Sequence, residues 1–160
     1  MRIKFTSVYV NDQGKALRFY TEILGFVKKA DITAGKYRWL TVASPEDPDG
    51  TQLVLEPNEN PAAKAYQEAL FKQGIRAAAF FVDDIRKEYE RLKKLGVKFT
   101  MEPTKLPRTP STIAVLDDTC GNLIPDHTAA VLIAKEGYLF VTNKADPLLS
   151  SIGSVRPISI

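Results

Sequence analysis

The apolar positions at the start of the chain follow two different periods. Over residues 3–10 they alternate, with Phe5, Ser7 and Tyr9 on one side and Thr6, Val8 and Val10 on the other, which predicts a strand with two distinct faces. From Gln13 to Leu24 the spacing turns helical through Ala16, Leu17, Phe19, Tyr20, Ile23 and Leu24, with Asp12 placed to cap the helix and Gly25 to stop it. Strands are predicted over 26–32, 37–43 and 52–56, separated by a short Gly35 turn and by the Pro- and Asp-rich residues 44–50.

A polar stretch containing Pro61 then leads into a helix over 62–72, and the opening pattern begins again. A strand is predicted over 76–82, an amphipathic helix over 84–95 ended by Gly96, and further strands over 97–101 and 112–116. Val10 matches Val82 and Asp12 matches Asp84 at an offset of 72, while Gly25 matches Gly96, Thr41 matches Thr112 and Gly50 matches Gly121 at an offset of 71. Two ordered copies of one β-α-β-β-β module are expected, over 1–58 and 75–125, joined by a connector over 59–74. Each module has a helix to cover one sheet face, so the predicted architecture is α+β, with a curved mixed sheet around a shared cup.

The pattern departs from this repeat near its end. Pro125 removes a ladder donor, so the last strand of the second module is expected to be short or displaced. Residues 126–160 form an extension in which 129–134 and 138–142 read as a hairpin around Lys135 and Gly137.

Composition narrows the function classes. The 22 Lys and Arg are interleaved with 19 Asp and Glu, giving +3 without a basic block that could track a phosphate backbone, so nucleic acid is not an expected partner. The chain starts without the apolar stretch of a signal peptide, and no run approaches the roughly 18 apolar residues of a membrane span. A cytoplasmic protein without a membrane partner is expected. The single cysteine, Cys120, fits a reducing compartment and has no adjacent base to make it a nucleophile.

Several stretches together carry a family resemblance. They are residues 10–26, running from Val10-Asn11-Asp12 to Leu24-Gly25-Phe26, then 49–57 around Gly50 and Glu56, Val82 to Asp84 with Glu88 to Gly96, and 117–124 around Gly121. With both modules carrying these signatures, residues 1 to about 124 resemble the vicinal oxygen chelate superfamily, in its glyoxalase, bleomycin-resistance and dioxygenase group. The resemblance implies a cup between paired modules and, in enzymatic members, up to four ligands holding a divalent metal that polarises vicinal oxygens of a substrate. It also implies a paired, homodimeric assembly.

Carried onto this chain, the implied ligand positions fall on Phe5 and Val54 in the first module and Ala77 and Pro125 in the second. None of these side chains offers an electron pair to a metal, so no cofactor is expected. A shifted donor set would have to draw on Glu56, Asp126 and His127.

Three functions follow. The first is a binding protein for a small organic molecule, with Tyr9, Tyr37 and Trp39 supplying contact area and Ser7, Gln52 and Glu56 orienting polar groups. The second is a metal-dependent lyase or dioxygenase related to lactoylglutathione lyase, in which Glu56 would move the proton. The third is a noncatalytic dimeric scaffold with a filled cup. Tyr66, Phe71, Tyr89 and Leu92 lie at helical spacing and read as core.

Overall fold

The computed structural model describes residues 1–107, 111–128, 131–135 and 138–142. The first module runs β1 (Phe5–Val10), α1 (Gln13–Arg18) continued by a π-helical turn (Phe19–Ile23), β2 (Val27–Ala34), β3 (Tyr37–Ala43) and β4 (Gln52–Pro57). After α2 (Pro61–Lys72) the second runs β5 (Phe80–Val82), α3 (Ile85–Lys94), β6 (Phe99–Lys105), β7 (Thr112–Asp117) and β8 (Leu123–Thr128). The repeat in the sequence is a repeat in topology. Each module closes its own four-stranded mixed sheet, in the orders β1-β4-β3-β2 and β5-β8-β7-β6, with the first and last strands of each module parallel.

The helix starts repeat as well. Asp12 accepts from the Lys15 N–H at 2.8 Å, and Asp84 accepts from the N–H groups of Arg86 and Lys87 at 3.1 and 3.0 Å, satisfying donors that the first turn leaves free. Both helices end at a glycine of positive φ, Gly25 at +83° and Gly96 at +82°.

One apolar cluster joins the modules. Val8, Val10, Leu40, Leu53 and Leu55 from the first sheet and Phe19 and Tyr20 from its helix meet Leu92, Leu116, Cys120 and Ile124 of the second module. Burying this surface fixes the strand parity: Val8 and Val10 turn inward, so Ser7 and Tyr9 turn to the opposite face of β1.

Two expectations are corrected. Pro125 does not shorten β8, which runs six residues as an inner strand, with Pro125 opposite Val115 of β7. The parallel pairing with β5 begins only beyond the proline, at Phe80 opposite Asp126, so the regular β5 ladder never includes residue 125. The strand expected over 76–82 is correspondingly regular only from Phe80. In the extension, β9 (Val131–Lys135) and β10 (Tyr138–Thr142) form the expected antiparallel hairpin, and residues 143–160 lie outside the described residues.

Candidate functional site

The face of the first sheet opposite the core carries the residues singled out in the sequence. Parallel pairing sets Phe5 beside Gln52, Ser7 beside Val54 and Tyr9 beside Glu56, and Thr41 of β3 lies opposite Val54. Phe5 and Trp39 meet edge to face, with ring centroids 5.4 Å apart, and remain 51% and 43% exposed. Aromatic area left open to this extent is a surface on which a flat molecule gains burial. Thr41 is buried and donates its hydroxyl to Oε1 of Gln52 at 2.7 Å, which fixes one end of that amide. Glu56 is half-buried on β4, and Tyr37 is placed on β3 by its backbone, its side chain lying outside the described residues.

Ser7 and Tyr9 also line a cavity of about 230 Å³ against α2 and the segment that follows it, with Tyr66, Phe71, Arg76 and Ala77 among its walls. Trp39, Gln52 and Glu56 lie outside this cavity, so the five expected residues with described side chains divide between an enclosed part and an open aromatic part of one sheet face. Phe5, two residues before Ser7 on the same face, leads from one to the other.

Tyr66 and Phe71 are a correction. They are 58% and 38% exposed rather than core, whereas Tyr89 and Leu92 are buried as expected. The reason is that α2 is anchored by a polar residue. Gln67 is buried, donates to the carbonyls of Tyr9 (2.6 Å) and Cys120 (3.1 Å), and accepts from Asn58 at 2.7 Å, leaving the neighbouring aromatics to flank the cavity.

Beneath this cavity lies a buried polar seam. Asp118 accepts from the Tyr20 hydroxyl, from the Asn122 amide and from the backbone N–H groups of Cys120 and Asn122. Burial raises the Asp118 carboxyl above its ordinary value against the pull of those bonds, and burial together with the Asp118 charge pushes Cys120 up to about 12. Such a thiol packs rather than reacts.

The implied metal positions do not fit a metal. Val54 is buried, the Ala77 N–H is engaged by the Leu123 carbonyl at 3.0 Å, and Pro125 sits in its ladder opposite Val115. The shifted donors do not converge either: Glu56 belongs to the first sheet, His127 packs against the Phe81 ring, and Asp126 faces the charges of α3. Among the described residues no three His, Cys, Asp or Glu side chains could hold an ion together. Likewise among these residues, no helix is long and apolar enough to cross a membrane.

Residues 2–125 match the family model of the Glyoxalase/Bleomycin resistance protein/Dioxygenase superfamily. The chain belongs to this superfamily. Within it, the chain is 60% identical over 124 residues to the uncharacterised protein YurT of Bacillus subtilis (strain 168), a match covering 78% of this chain and 96% of that protein. Among solved structures, UcmS2 superposes with a TM-score of 0.66 at 32% identity, covering 79% of this chain and 97% of UcmS2. TnmS3, an antibiotic binding protein from Streptomyces sp. CB03234, superposes with a TM-score of 0.61 at 29% identity, covering 80% and 95% of the two chains.

Proposed function

We propose that this superfamily member is a binding protein for a small, flat organic molecule, held without a metal ion on the outer face of the first sheet. The observation that carries the reading is the exposed Phe5–Trp39 pair standing on the same face as the cavity walls Ser7 and Tyr9. Phe5 itself occupies a position where the resemblance implies a metal ligand, so an aromatic contact stands in the place of a donor. The likeness to TnmS3, described as an antibiotic binding protein, supports the same class of activity.

In this reading Phe5, Tyr9 and Trp39 supply desolvated contact area, Tyr66 and Phe71 close the α2 side, and Ser7, Gln52 and Glu56 orient polar atoms of the ligand. A second copy of the chain, as in paired assemblies, would cover the remaining open face, and the mass in solution by light scattering tests that part. The ligand reading is tested by native mass spectrometry of untagged protein after a chelator wash and again after excess zinc, nickel, manganese or iron(II). A metal-free protein that carries or takes up an organic mass is expected. A metal retained in stoichiometric amount contradicts the reading.

A further inference from the structure

We propose that the cleft between the two modules is a second ligand site, specific for an organic cation: an ammonium group carried on an apolar or aromatic body. The cleft encloses about 430 Å³ and is bounded by Leu24, Phe26 and Glu46 of the first module and by Phe80, Glu88 and Asp126 of the second. It is separate from the aromatic face: its walls include neither Phe5 nor Trp39 and share no residue with the cavity beside Ser7 and Tyr9.

Asp126 is the deciding residue. It is only 5% exposed and lines the cleft, and its carboxylate receives no hydrogen bond and forms no ion pair among the described residues. Arg91, the cation of α3 whose charge acts on Asp126, makes its hydrogen bonds elsewhere, binding Glu88 through two nitrogens at 2.6 and 2.9 Å and the Ile23 carbonyl at 2.9 Å. Buried carboxylates are normally satisfied, so an unsatisfied one facing an open cavity marks a place for a donor.

The remaining charges select the sign of that donor. Glu46, Asp83, Asp84, Glu88 and Asp126 line the cleft against Lys87 and Arg91, a surplus of carboxylates. The strand partners of Asp126, Phe80 and Ala114, bring no charge. Burial, reinforced by the Glu88 charge and opposed by Arg91, holds Asp126 up to about 7, so above that pH the cleft contains an unpaired buried anion. An ammonium supplies the missing charge with three N–H donors, and the Phe26 and Phe80 rings, 5.1 Å apart, offer its body an apolar wall. A metal ion is the weaker match, since no third ligating side chain joins Asp126 and Glu88 among the described residues.

The test uses the full chain at pH 8 with three probes of one shape: 2-phenylethylamine, its neutral analogue 2-phenylethanol and the anion 3-phenylpropanoate. Calorimetry gives the affinities, and amide chemical shifts locate the binding. The amine is expected to bind at least tenfold more tightly than the alcohol and the anion not at all, with shifts at Phe80, Glu88 and Asp126. Asp126→Asn should lose at least tenfold for the amine, while Trp39→Phe should leave it unchanged. The proposal is overturned if the amine fails to bind, binds no better than the alcohol, keeps its affinity in Asp126→Asn, or shifts Ser7 and Trp39 instead. It is equally overturned if magnesium or zinc ions alone shift Asp126 at stoichiometric amounts. The comparison of probes on the unaltered protein stands whether or not a variant folds, and failure here leaves the aromatic-face reading untouched.

Discussion

The hydroxyl of Tyr20, in the helical segment of the first module, donates to Oδ2 of Asp118 in the second at 3.1 Å, and both side chains are fully buried. This bond crosses between the repeats at the centre of their shared core. Tyr20→Phe keeps the ring contacts with Phe19, Phe26 and Phe80 and removes only the donor, so a loss of about 1–2 kcal/mol is expected in urea unfolding. Asp118→Ala strands the Cys120 and Asn122 N–H groups as well and should cost about 3 kcal/mol or more. Equal losses for the two variants would contradict the assignment of Asp118 as the hub.

Gly121 and Gln67 are coupled by close approach. Gly121 has φ +103°, and a Cβ there would stand 2.7 Å from Nε2 of Gln67. Gly121→Ala should therefore destabilise by about 2 kcal/mol through backbone strain and displacement of the amide that ties α2 to β1. Combined with Gln67→Ala, the total loss should fall short of the sum of the single losses, because the steric part vanishes. Strict additivity in thermal unfolding would show that the two do not meet.

Stability should fall between about pH 4 and pH 7 on account of Asp126. Its folded value of about 7 lies above the ordinary 3.8, so between these limits the folded chain keeps a proton that the unfolded chain has released. The stability linked to this proton is full below about pH 4 and is lost as pH rises through about 7, an effect of at most about 4 kcal/mol. Asp126→Asn should flatten that slope and raise stability at pH 8. Asp118, also raised, acts in the same direction and remains in the variant. A steeper slope in Asp126→Asn would contradict the burial argument.

Cys120 should resist alkylation. It is fully buried, and its thiol is held up to about 12. Iodoacetamide at pH 8 should label the native chain at least about 100-fold more slowly than the chain in denaturant, as read by intact mass. Comparable rates would place the thiol at an accessible surface.

The repeat was legible because its signals are local. Asp12 and Asp84 cap, Gly25 and Gly96 stop, and strand alternation places Val8 and Val10 against Ser7 and Tyr9 without reference to the rest of the chain. The continuity of β8 was not legible, since whether a proline breaks a strand depends on which neighbour needs its donor, and β5 joins only from Asp126 onward. Tyr66 and Phe71 were misplaced for a similar reason: helical spacing identifies a stripe, but the bonds of Gln67 decide which side of α2 is anchored. Asp126 was legible only as a member of a shifted donor set, not as a lone buried carboxylate. Its isolation arises only when Arg91, 35 positions earlier, turns to Glu88.

The proposed metal-free organic site lies beside Trp39, the single tryptophan of the chain. Its indole N–H gives one resonance in a nitrogen-15 correlation spectrum, which can be followed while neutral flat aromatics such as coumarin and 2-naphthol are titrated in the presence of a chelator. Binding is expected to shift this resonance together with the amides of Ser7 and Tyr9, and Trp39→Ala to weaken binding at least tenfold. Saturable binding that leaves the indole resonance unmoved, or that appears only when a divalent metal replaces the chelator, would contradict the proposed site.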